Sequence, residues 1–80
     1  SGTIAVKMLV PPWCDHGKLD ERGWMRASAG CTLKQALHAV GCDALRARLL
    51  LASVNGVRSP LSTELHDGDV VGLFALTTSG

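Results

Sequence analysis

Nothing in this sequence is a long hydrophobic run. Its apolar stretches stop well short of the roughly 18 to 20 residues that carry a helix across a bilayer, so a membrane span is not expected. An excess of one charge is also missing: 8 Lys and Arg stand against 7 Asp and Glu, for a net charge of +1. The cations are scattered, whereas binding a phosphate backbone calls for a basic patch or stripe, which argues against nucleic acid as a partner. The opening SGTIAVKMLV has no basic n-region of a secretory signal, and Ser1-Gly2 reads as the remnant of an expression tag, so a soluble, cytoplasmic protein is expected. Paired CxxC spacing is absent as well. Three cysteines, Cys14, Cys31 and Cys42, are an odd number, which points away from a disulfide framework or a standard zinc site and toward reduced thiols. Cys14 and His16 form a C-x-H pair, and His38 and Cys42 fall four residues apart. These are two fragments of a ligand set rather than a site, and small buried hydrophobes are the better reading of the cysteines. No repeat, linker or composition break divides the 80 residues, which are enough for one small core. A single domain over 1–80 is expected, with a flexible tail at 77–80.

What is present is a foldable pattern. Hydrophobic residues make up 46% of the chain and charged residues 19%, too apolar for a disordered segment. Ile4, Val6, Met8 and Val10 alternate with Ala5, Lys7 and Leu9, the period of a strand with one face on a core, until Pro11-Pro12 stops it. The polar, Gly-punctuated WCDHGKLDERG reads as a loop returning the chain to GWMRASAG. There Met25, Ala27 and Ala29 alternate with Trp24, Arg26 and Ser28, giving a second strand antiparallel to the first. After Gly30 the period changes. Leu33, Ala36, Leu37 and Val40 form the stripe of an amphipathic helix, with Thr32 as N-cap and Gly41 as stop. RLLLASVNG is a strand ending in Asn55-Gly56, a turn dipeptide, and Pro60 restricts the next residues to an edge or a loop. HDGD makes a further turn, and VVGLFAL a last strand.

Strand, strand, helix, strand, turn region, strand implies an α+β chain with a mixed sheet of four or five strands and one main helix on one face. That arrangement is the ubiquitin-like β-grasp. Its first and last strands lie side by side and parallel in the centre, joined by the helical crossover. The last strand would therefore leave the domain from a fixed point.

VNGVRSPLSTELHDGDVVGLFALTTSG resembles the C-terminal half of the ThiS/MoaD family of ubiquitin-like sulfur carriers. The family pattern is a strand ending in V-N-G, a leucine, D-G-D, an apolar strand and a tail ending in Gly-Gly. Val54, Asn55, Gly56, Leu65, Asp67, Gly68, Asp69, Val71, Leu73 and Phe74 match it in order, and Gly30, Thr32, Leu33 and Leu37 resemble the family's helix entry. The segment from Pro11 to Gly23 is least like it. The resemblance implies a carrier rather than an enzyme. Its terminal Gly80 carboxylate would be adenylated by an E1-like enzyme and converted to a thiocarboxylate, and the sulfur delivered to a synthase making molybdopterin, tungstopterin or thiamine. It implies no bound cofactor, with ATP used by the activating partner, and Thr77, Thr78 and Ser79 as the arm reaching into both active sites.

Two departures accompany the match. Ser79 stands where the family has its penultimate Gly, adding a Cβ that restricts φ in a channel suited to glycine. Ala75-Leu76 replaces a frequent Pro-Pro that would stiffen the exit. Three readings of Ser79 stand side by side: a dedicated partner accepts Ser-Gly, the encoded chain continues past Gly80, or the protein is a non-conjugating β-grasp interaction module. Phe74 and Leu76 are candidates for a docking patch toward the activating enzyme, with packing of Phe74 against Trp13 or Trp24 as the alternative. Trp24 with Arg26 is either a partner anchor or surface cover. From a different class, a stand-alone enzyme would draw on Cys14, Asp15, His16 and Asp20 as nucleophile and base, although a loop in so small a domain has little scaffold to enclose a pocket.

Overall fold

A computed structural model describes residues 2–42 and 50–75, without the side chains of 50, 51, 74 and 75. The alternating N-terminal segment forms β1 (Thr3–Leu9) and, after the loop, β2 (Trp24–Ser28). The helix α1 spans Leu33–Ala39, and β3 (Leu50–Val54), β4 (Val57–Arg58) and β5 (Val70–Ala75) complete the order. The five strands make one mixed sheet in the order β2-β1-β5-β3-β4. β1 runs antiparallel to β2, from Thr3↔Ser28 to Lys7↔Trp24, and parallel to β5, from Lys7↔Val70 to Leu9↔Gly72. This is the β-grasp expected from the order of elements, with first and last strands paired in the centre. β2 ends one residue before Ala29, which is exposed in the turn toward Gly30.

The alternation sorts residues onto two faces. Val6, Met8, Met25, Ala52 and Val71 are buried on the helix side, where Leu33, Ala36, Leu37 and Val40 meet them. Cys14, Cys31 and Cys42 are buried in the same cluster, as small hydrophobes. Leu9, on the helix-free face, remains 54% exposed.

Every early N–H of α1 has a destination, which explains why so short a helix is stable. Gln35 N–H donates to the Thr32 hydroxyl at 3.3 Å while the Gln35 side chain accepts from Thr32 N–H at 2.9 Å, a reciprocal capping box. The two remaining first-turn donors, Leu33 and Lys34, bond the carbonyls of Thr63 and Leu61 at 2.8 and 3.0 Å. The segment after Pro60 thus serves as a cap for α1, and its Leu65 is buried. At the other end Gly41, at φ 77°, donates to His38 carbonyl and Cys42 to Leu37 carbonyl, the paired bonds of a Schellman stop.

Candidate functional site

Two turns separated by more than ten residues converge where β5 begins. Asn55-Gly56 joins β3 to β4 with both residues at positive φ, 54° and 82°, the two-residue type I′ geometry whose twist suits a hairpin. Asn tolerates that left-handed conformation because its short amide bonds locally. Here its amide reaches across the sheet: Asn55 Nδ2 donates to Asp69 Oδ1 at 2.9 Å, and Asn55 Oδ1 accepts from Val70 N–H at 3.0 Å. Asn55 N–H donates to the Val70 carbonyl at 2.7 Å.

The second turn secures β5 to β1. Asp67 Oδ1 accepts from Ala5 N–H at 2.8 Å, Gly68 N–H donates to the Ala5 carbonyl at 2.8 Å, and Lys7 N–H donates to the Asp69 carbonyl at 2.9 Å. Gly68 is required for a conformational reason, since its φ is 88°. Asp69 also accepts from His66 N–H at 2.8 Å. That bond first, then the Asn55 amide and the nearby His66 ring, hold the Asp69 carboxyl below its ordinary value of 3.8 against partial burial. His66 itself is 73% exposed and lies 3.5 Å from Glu64, a surface pair of small energetic weight.

The V-N-G and D-G-D residues are therefore one clasp that sets the starting point of β5. With the start held on both sides and a rise of about 3.3 Å per residue, the strand end is placed roughly 17 Å away. The ladder to β3 reaches Leu50↔Ala75, while the ladder to β1 stops at Leu9↔Gly72. The clasp was legible in the sequence only as two separate turns. Its signal is a polar Asn and Asp, each flanking Gly, on either side of the segment that returns to the centre.

Phe74 pairs with Leu51 through the backbone of β5, and its side chain lies outside the described ones. The docking and packing alternatives for it lie there too. Leu76, Thr77, Thr78, Ser79 and Gly80 lie outside the described residues. Trp24 is half-buried and Arg26 exposed on the sheet's outer face, and Trp13 is 49% exposed.

The candidate nucleophile and bases of the long loop sit in different environments. Cys14 is buried, whereas His16 is exposed with its ring 3.2 Å from the Pro11 carbonyl. Asp15 N–H donates to the Val40 carbonyl at 2.9 Å, docking the loop on the end of α1, and the Asp15 carboxylate accepts from Gly17 N–H. Asp20 Oδ1 accepts from Trp24 N–H at 2.9 Å and Arg22 N–H at 2.8 Å, which lowers its pKa; this is turn chemistry at the entry to β2. His38 is exposed on the last turn of α1, whereas Cys42 lies beyond the helix end and is buried. Among the described residues no group of three His, Cys, Asp or Glu could hold a metal ion, and no helix is long and apolar enough to cross a membrane.

No protein-family model matches the chain, and no curated protein does. Among solved structures, SAMP1 from Haloferax volcanii is similar, with a TM-score of 0.57 at 22% sequence identity, covering 99% of this chain and 100% of that one. The shared architecture is the ubiquitin-like β-grasp.

Proposed function

We propose that this protein is a ubiquitin-like sulfur carrier whose reactive group is the carboxylate of Gly80. The observation that carries this reading is the clasp of Asn55, Asp67 and Asp69, which anchors the start of β5 centrally between β1 and β3 and so fixes the strand that leads into the last residues of the sequence. The ubiquitin-like fold shared with SAMP1 supports it, as does the ordered match of the clasp residues to the ThiS/MoaD pattern. A carboxylate is a poor acyl donor until its oxygen is made a leaving group. In the proposed sequence the Gly80 carboxylate attacks the α-phosphorus of ATP held by an E1-like enzyme, and pyrophosphate leaves. Sulfide then adds to the carbonyl carbon of the acyl adenylate, AMP leaves, and a thiocarboxylate remains for transfer to a pterin or thiazole precursor in a synthase. This chain contributes the acyl group. ATP belongs to the activating partner.

The test is intact-mass measurement of the full chain after incubation with ATP, sodium sulfide and the E1-like enzyme of the same genome. Replacement of one oxygen by sulfur, mapped to Gly80, is the expected result. An unchanged mass beside an enzyme that adenylates its other substrates would overturn the carrier reading. So would a mature protein retaining residues after Gly80. Either outcome leaves the second reading, a non-conjugating interaction module, which Ser79 in place of the penultimate glycine favours.

A further inference from the structure

Cys14 and Cys42 stand on opposite sides of α1 in the sequence, and folding brings their segments together. Asp15 N–H donates to the Val40 carbonyl at 2.9 Å. A Cβ on Gly41 would lie 3.7 Å from both the nitrogen and the Cβ of Asp15, so the two backbones run against each other at this point. Asp15 directly follows Cys14 and Gly41 directly precedes Cys42, which leaves each cysteine one residue from the contact. Both side chains are buried in the core, at 7% and 2% exposure. Cys14 N–H donates to the Pro11 carbonyl at 3.0 Å and Cys42 N–H to the Leu37 carbonyl at 2.9 Å, so a turn fixes the backbone at each.

Cys31 is placed differently. It precedes α1, where its N–H donates to the Ser28 carbonyl at 3.1 Å and its carbonyl accepts from Leu65 N–H at 2.8 Å. The length of α1, roughly 10 Å at about 1.5 Å per residue, separates its end of the helix from that of Cys42. A disulfide needs its Cα atoms within about 7 Å, so the fold offers Cys42 the partner Cys14 and not Cys31. We propose that Cys14 and Cys42 are a thiol–disulfide pair whose oxidation locks the loop from Pro11 to Gly23 onto the C-terminal end of α1. Cys14, the more exposed of the two, reacts first. Its thiolate attacks one sulfur of a small-molecule disulfide such as oxidised glutathione, giving a mixed disulfide and a small thiolate that takes up the Cys14 proton. The Cys42 thiolate then attacks the Cys14 sulfur, and the second small thiol leaves with the Cys42 proton. Two protein thiols are oxidised and one small disulfide is reduced to two thiols. Because β1 and β5 are parallel, the loop leaves the sheet at the end toward which β5 runs. The lock thus holds that end, with the exposed Trp13 beside Cys14, in one arrangement under oxidising conditions. It is independent of any chemistry at Gly80.

The probe is oxidised glutathione, added in excess to the full chain at about pH 8 without denaturant. Mass spectrometry of an unreduced tryptic digest should join peptide 8–18 to peptide 35–46, while peptide 27–34 keeps the Cys31 thiol. The oxidised protein should melt about 10 °C or more above the reduced one, and dithiothreitol should abolish the difference. Cys31→Ala should retain both the link and the Tm rise, and Cys14→Ala and Cys42→Ala should lose both. The wild-type readouts do not depend on any variant folding. The proposal is overturned by links to Cys31 in the native chain, or by glutathione adducts or intermolecular links in place of the internal one. It is also overturned if the oxidised protein is no more stable than the reduced.

Discussion

Replacing Asn55 separates two contributions that the clasp combines. Asn55→Gly keeps the left-handed turn, at φ 54°, but removes the amide that donates to Asp69 and accepts from Val70 N–H. A neutral hydrogen bond contributes about 1 kcal/mol net and one to a charged acceptor somewhat more, so a loss of roughly 2 kcal/mol is expected. Asn55→Ala removes the same bonds and forces a Cβ into the left-handed region, adding about 1 kcal/mol. For a domain of this size, each 1 kcal/mol lowers Tm by about 4–8 °C, and total stability is only about 4–12 kcal/mol. Both variants should therefore unfold well below the wild type, with Ala the lower of the two. Urea unfolding at neutral pH gives the free energies, and hydrogen exchange at Val70 reports the clasp directly. An Asn55→Gly variant within about 0.5 kcal/mol of wild type would refute the clasp, that being the ordinary scatter of surface substitutions. Equal stability of the Gly and Ala variants would refute the conformational part.

The same clasp predicts acid sensitivity. Asp69 binds its proton less tightly folded than unfolded, so its contribution is complete above the ordinary value of 3.8 and lost as pH falls through its lower folded pKa. The stability gap between wild type and Asp69→Asn should narrow between pH 6 and pH values below about 3, and a gap independent of pH would contradict this. Burial pushes the Cys31 thiol up, leaving less thiolate, so its alkylation by iodoacetamide at pH 8 should be slow in the native protein and fast in urea; peptide mass spectrometry would show equal rates if the thiol were accessible.

Local pattern was sufficient for much of the architecture. Ile4, Val6 and Met8 could serve only as one face of a strand. Thr32 and Gly41 bracket the helix through bonds made within a few residues, and Asn55-Gly56 specifies its hairpin by backbone preference alone. Even the central pairing of first and last strands follows from element order, because a short helical crossover leaves few other arrangements. The carrier reading of Gly80, by contrast, came from resemblance rather than from periodicity.

Other features depend on residues that meet only after folding. Asp20, legible as a base, accepts from the amides of Arg22 and Trp24, and Cys14 is buried in the core while His16 is exposed. The segment after Pro60 carries no helical or strand period, yet it caps α1 through the carbonyls of Leu61 and Thr63. By itself the sequence determined the faces of its strands, the limits of its helix and the conformation of its turns, since each depends on neighbours in the chain. Only the tertiary structure decided that the Asn55 and Asp69 turns close into one clasp at the root of β5, and that the loop of Cys14 docks on the end of α1. Those outcomes depend on hydrogen bonds between distant residues, and such bonds leave no period in a sequence.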